Sequence, residues 1–151
     1  MFEVSEMDFN EYMAFVRKCK EEPVKELNES DFDDIEKTVG AELPVDFKSF
    51  YLKSNGEVES EYYSFSPIKY GFSIEKHIYV YAEQGISFGK KLPFATDIHG
   101  HTYLLSLEND SYGQVLFLQH EYEDEQDYDF VANSFTDFLN EFVSKEKTFL
   151  I

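Results

Sequence analysis

The residues with the most evident chemical potential are Asp97, His99 and His101, in the run DIHGH. Along an extended segment side chains alternate, so all three would point to one side. Two imidazoles and a carboxylate can form a facial site for Zn2+ or Fe2+, with His120 as a fourth group. The chain would then be a small metal-dependent hydrolase. Gly100 and the strand that begins just after it favour a turn instead, and in a turn the alternation fails. A hydrogen-bonded turn is the preferred reading, with no metal and no cofactor expected.

Other chemistries have less support. No Gly-x-Ser-x-Gly elbow and no phosphate-cradling Walker loop occur in the chain. Cys19 falls on the apolar side of a helical pattern, which suits a small core residue better than a nucleophile. As the only cysteine, it excludes an intrachain disulfide and a Cys-based zinc site. Carboxylates are too numerous for any pair to stand out. No catalytic residue is assigned, and the chain is not expected to be an enzyme.

What stands out is an asymmetry of charge. Between Lys91 and Lys145 there is no Lys or Arg, while that span holds eleven acids, Asp97, Glu108, Asp110, Asp137 and Glu141 among them. Six lie in EYEDEQDYD: Glu121, Glu123, Asp124, Glu125, Asp127 and Asp129, with Tyr122 and Tyr128 interleaved. A solvated loop explains such a run as readily as a docking surface does. As a docking surface, its carboxylates would steer a basic partner and its tyrosines would anchor it. A second patch, EVESEYY, would place Glu57, Glu59 and Glu61 on one face of an extended segment.

The bulk numbers agree with a binding protein. A chain of 151 residues reads as one domain, 1–151. With 42% apolar and 18% aromatic residues, including 16 Phe and no Trp, it can bury a Phe-rich core. A net charge of −18 repels nucleic acid phosphates and anionic lipid surfaces and attracts basic proteins. One free thiol suits a reducing compartment, the N-terminus is acidic where a signal peptide is positive, and no apolar run approaches membrane-spanning length. The expected location is the cytoplasm.

The elements that must position these residues begin with a helix in DFNEYMAFVRKCK, capped by Asp8. A second helix is read in SDFDDIEKTV, with Ser30 as its cap and Phe32, Ile35 and Val39 on one face. Gly40 is placed to take a left-handed conformation, Leu43 is held extended, and Pro44 suits the first position of the next helix. In PVDFKSFYLKS, Phe47, Phe50, Tyr51 and Ser54 share a face, and Asn55-Gly56 closes the element. Val39 to Gly56 is thus a helix hairpin with a rigid five-residue joint. Beyond it EYYSFSP, KLPFAT, HTYLLSL and QVLFLQH read as strands, with ENDSYG a turn and SIEKHIYVYAEQG a helix. SFTDFLNEFVSK is the last helix, capped by Ser134. Segregated helices and strands predict an α+β fold with a mainly antiparallel central sheet flanked by helices.

The run GAELPVDFKSFYLKSNG, followed by LPFATD, the strand pair YLLSL and GQVLFLQHE, and SFTDFLNEF, resembles the SUKH superfamily, the Smi1/Knr4 family. The resemblance covers Ser30 to Val143 and leaves 1–29 as a helical extension. Two departures stand out: Glu57-Val58 follows SNG where relatives carry glycines, and Ile98-His99-Gly100-His101 replaces a Gly-rich turn. Asp97 matches a frequent acidic position of the family.

The resemblance implies an α+β domain without an active site. Bacterial members bind and neutralise a cognate polymorphic or contact-dependent toxin, often a nuclease. Fungal members are regulatory interaction modules. The resemblance therefore implies a bacterial immunity protein, and the charge adds that its toxin partner is basic. Glu121, Tyr122, Glu123, Asp124, Glu125, Asp127, Tyr128, Glu57, Glu59, Glu61 and Asp97 are the expected contact residues. Direct binding of nucleic acid or membrane is not expected.

Overall fold

The structure, a computed structural model, describes residues 9–21, 23–119 and 127–150. Asp8 as a cap, the facing of Cys19, His120, Tyr122 and the acids from Glu121 to Glu125 lie outside the described residues. Helix α1 (Phe9–Glu21) comes first, as expected. The next helical region starts earlier than Ser30 would place it. Asn28 caps it: its N–H donates to Asp31 Oδ2 at 2.9 Å, and the Ser30 hydroxyl donates to Asn28 Oδ1. A 3-10 turn, Glu29–Phe32, then leads into α2 (Asp33–Val39).

The joint is built around Glu36. Gly40 ends α2 at φ 82°, and its N–H donates to Glu36 O at 2.8 Å. The Glu36 carboxylate accepts from the Leu43 N–H at 2.8 Å and pairs with Lys48 Nζ at 3.0 Å. Pro44, at φ −60° and ψ 149°, is the cap of α3 (Val45–Ser54), one residue before the predicted place. Its extended ψ leaves its carbonyl free to accept from Lys48 N at 3.1 Å, the first bond of the helix. At the far end Asn55 and Gly56 are both left-handed. A Cβ on Gly56 would come within 2.9 Å of the Ser66 carbonyl oxygen, so only glycine fits there.

Five strands follow: β1 (Tyr63–Phe65), β2 (Lys91–Asp97), β3 (Thr102–Ser106), β4 (Val115–Leu118) and β5 (Asp129–Ala132). They form one antiparallel sheet in chain order. Helix α4 (Ile74–Glu83) links β1 to β2, so the helical reading of SIEKHIYVYAE holds. Burial explains its β-branched residues: Ile74 and Val80 are core positions. β5 was not foreseen. The last helix is not uniform either. Ser134 caps α5 (Phe135–Phe138) by accepting from Asp137 N at 3.0 Å, and the helix then widens into a π turn over Leu139–Val143.

One face of the sheet carries the main core. Phe94, Tyr103 and Phe117 meet Phe47, Phe135 and Phe138, all fully buried, largely in edge-to-face geometry. The expected Phe-rich core is present. Asp46 on α3 ties the helices together, accepting from both the N–H and the hydroxyl of Thr136 at 3.0 and 2.9 Å. On the other face, Leu104 and Leu118 pack with Phe88, Tyr81, Ile86 and Tyr128. Among the described residues no helix is long and apolar enough to cross a membrane.

Candidate functional site

An antiparallel meander sends alternate strand termini to the same end of the sheet. Here Tyr63 pairs with Asp97, Thr96 with Thr102, Thr102 with Leu118, and Phe117 with Asp129. Three segments singled out separately in the sequence therefore leave the sheet at one end. They are the acidic approach to β1 (Glu57 to Tyr62), the DIHGH turn between β2 and β3, and the acidic connection from β4 to β5. That all three meet the sheet at one end follows from strand order alone.

Asp97 is at the centre of this end, and it faces inward. It is 7% exposed. Its Oδ1 accepts from the N–H groups of His99 and His101 at 2.9 and 3.2 Å, and its Oδ2 accepts from the Tyr103 hydroxyl at 2.8 Å. The carboxylate closes the turn rather than meeting a partner or a metal. The His99 and His101 rings stand 6.4 Å apart, and His101 packs on Phe117. Among the described residues no group of three His, Cys, Asp or Glu is placed to hold a metal ion. The alternation needed for a facial triad fails because Gly100, at φ 84°, bends the chain.

The C-terminal segment is bound to the same end. The Phe149 N–H donates to the Tyr103 hydroxyl at 3.0 Å, and the Tyr63 hydroxyl donates to Lys147 O at 2.6 Å. Burial pushes the Tyr63 phenol up to about 12 and raises that of Tyr103 further, so both remain donors at neutral pH. Replacing Asp97 with alanine removes three accepted bonds at a buried site. We expect a loss of about 2–4 kcal/mol, a drop of roughly 6–12 °C in melting temperature. Tyr103→Phe should cost less, and the two losses should fall short of additivity by more than about 0.5 kcal/mol. Thermal unfolding of the two single variants and the double variant measures this. Additive losses would mean that the turn and the C-terminal segment are not coupled through Asp97.

The remaining predicted residues divide by exposure. Glu57, Glu59 and Glu61 are exposed, alternating with half-buried Val58 and Ser60, so they do share a side. Asp127 is exposed. Tyr128 is half-buried instead: its ring lies against Leu104 and Leu118, with Lys91 Nζ 4.9 Å from the ring centroid. Burial raises its phenol to about 12, and its hydroxyl has no hydrogen-bond partner among the described residues. Glu108, at the opposite end of the sheet, pairs with Lys91 at 3.0 Å, which lowers its carboxyl below the usual range.

Sequence reasoning missed Tyr62, Ile98 and Glu146. Tyr62 and Ile98 are 37% and 59% exposed. They sit together because the Ile98 N–H donates to Tyr62 O at 2.8 Å. Glu146 accepts from the Ser60 hydroxyl at 2.7 Å and from the Glu61 N–H at 3.1 Å. No sequence signal links positions so far apart in the chain. A single apolar residue beside a turn, such as Ile98, is too common to have marked the site.

The order of these elements, from the rigidly joined helix pair through the meander to the capped last helix, has a counterpart among known families. The model of the SMI1/KNR4 family (SUKH-1) matches residues 26–141. The chain belongs to the SMI1/KNR4 (SUKH-1) family. Its α+β architecture and five-stranded antiparallel sheet are consistent with the SUKH fold. The SUKH match takes in the helix joint, the whole sheet and the start of the π turn, while α1 precedes it. A comparison with curated proteins found no match.

Proposed function

We propose that this SUKH protein is a bacterial, cytoplasmic immunity protein that neutralises a toxin by binding it, one to one and without turnover. Its partner is a basic domain, of the kind that grips nucleic acid. The observation that carries the reading is that Glu57, Glu59 and Glu61 lead into the same end of the sheet as Leu118 and Asp129, the strand ends that the second acidic segment joins, in a chain of net charge −18. Carboxylates presented together attract a phosphate-binding cleft before contact and then occupy it. Family membership supports the class, and the charge supports the kind of partner.

The rigid frame serves the same end. Glu36 fixes the helix joint, and Asp46 fixes α3 to α5. A surface that does not rearrange loses less free energy on association. In this reading Glu57, Glu59, Glu61, Asp127 and the acids from Glu121 to Glu125 steer, and Tyr122 is an anchor. Asp97 acts from within, holding the turn.

The test begins with capture by the tagged protein from source-cell lysate, at low and then at high salt. A single basic domain released only at high salt is expected. That domain, purified, should lose its toxic activity at one equivalent of this protein. Capture of endogenous regulatory proteins instead would favour the interaction-module reading, and a captured toxin whose activity is unaffected would overturn neutralisation.

A further inference from the structure

Beside the Asp97 turn lies an open cavity of about 440 Å3, lined by Tyr62, Ile98, His99, Glu146, Lys147 and Thr148. Its walls are mainly apolar, with Tyr62 and Ile98 exposed at its margin. Of its two charged side chains, Lys147 has its ammonium 5.7 Å from the Phe142 ring centroid, drawn aside by that ring. Glu146 is held differently. Its backbone is left-handed at φ 50°, and each carboxylate oxygen accepts one hydrogen bond, from the Ser60 hydroxyl and the Glu61 N–H. Those bonds keep its carboxyl below the usual range, so it is an anion at neutral pH. Each oxygen retains further acceptor capacity. Exposed Glu59 and Glu61 flank Ser60, its hydrogen-bond partner, in the chain.

An ionised carboxylate in a cavity also lined by an aromatic ring and an aliphatic side chain favours a particular cation. Arginine is flat, weakly hydrated and able to stack on a ring while its fork donates to a carboxylate. A lysine ammonium is compact and strongly hydrated, and it suits such a slot less well. We propose that this cavity receives one arginine side chain of the basic partner, stacked against Tyr62 and Ile98 with its guanidinium donating to Glu146. The identity of the occupant rests on the proposed function, while the recognition of arginine can be tested alone.

The probe is N-acetyl-arginine amide, titrated into the full chain and followed by amide chemical shifts. Saturable shifts are expected at Tyr62, Ile98, His99 and Glu146. N-acetyl-citrulline amide, neutral with the same outline, should bind about tenfold more weakly, as loss of a charge-assisted bond requires. Glu146→Gln should weaken arginine by a similar factor. Tyr62→Ala, which leaves the carboxylate in place, should weaken arginine and citrulline alike. Equal binding of arginine and citrulline, shifts confined to other residues, or no shifts at all would overturn the pocket. A chain that binds the arginine probe yet captures no basic partner would keep the pocket and overturn the function proposed above. Capture of such a partner with no arginine binding would do the reverse.

Discussion

Asn55→Ala melts about 10–15 °C below the parent chain, a loss of roughly 3–5 kcal/mol. Asn55 is 3% exposed, and its side chain joins three segments. Its Nδ2 donates to Lys25 O at 3.0 Å and to Ile68 O at 3.1 Å, while its Oδ1 accepts from the Ile68 N–H at 2.7 Å. Truncation leaves the N–H of fully buried Ile68 without a partner, which costs about 1–3 kcal/mol. The Ile68 carbonyl loses one of two bonds, worth about 1 kcal/mol, and keeps the Tyr70 N–H at 2.8 Å. The Lys25 carbonyl lies on an exposed residue and can turn to water. A second cost is conformational. Asn55 has φ 45° and ψ 45°, a left-handed state that asparagine tolerates and alanine does not.

Asn55→Gly separates the two costs. It removes the same hydrogen bonds but accepts the backbone, so it should unfold about 1 kcal/mol harder than the alanine variant. Equal stability of the two variants would assign the whole loss to the hydrogen bonds. An alanine variant within about 1 kcal/mol of the parent would mean that the bonds to Ile68 contribute little net stability.

This position also marks how far the sequence could be read. That Asn55-Gly56 ends a helix was legible, because a left-handed pair is a local demand that few residues meet. Gly40 and the proline joint were legible for the same reason. The bonds from Asn55 to Ile68 and Lys25 were not, since nothing local records a partner 13 or 30 positions away. Asn28 was passed over for Ser30 because both are good caps, and Asp31 reaching back to Asn28 N decides between them only in three dimensions. β5 was missed because four residues are too few to establish an alternation, and its first two are exposed.

The candidate site divides along the same line. Its charge was legible as composition, and the family resemblance rested on short, ordered motifs. Its assembly depended on strand order, which no local pattern fixes. Asp97 is the clearest case: its type admitted a ligand or a contact, and only its three accepted bonds reveal that it holds the turn from inside. Glu146 has no counterpart in the sequence reading, because its bond to Ser60 spans 86 positions.

Neutralising the connection between β4 and β5 is the change with the largest expected effect on binding. The variant Glu121→Gln, Glu123→Gln, Asp124→Asn, Glu125→Gln and Asp127→Asn should slow association with a basic partner by about tenfold. Adding Glu57→Gln, Glu59→Gln and Glu61→Gln, on the same end of the sheet, should bring the loss to about 100- to 1000-fold. Dissociation should change less, because long-range charge acts mainly on encounter. Salt provides the internal control. The parent should lose association rate steeply as ionic strength rises, and the eight-substitution variant should respond only weakly, since exposed charges are screened beyond about 10 Å at 0.1 M salt. Stability should hold, because the side chains of Glu57, Glu59 and Glu61 are exposed and free of ion pairs among the described residues. Association and dissociation rates at two salt concentrations, with melting curves alongside, measure all of this. If the first variant associates at the parent rate and the second does not, the partner approaches along the β1 edge. If neither slows, steering by this end of the sheet is wrong, and the family assignment, which rests on the match over residues 26–141 and not on binding, is untouched.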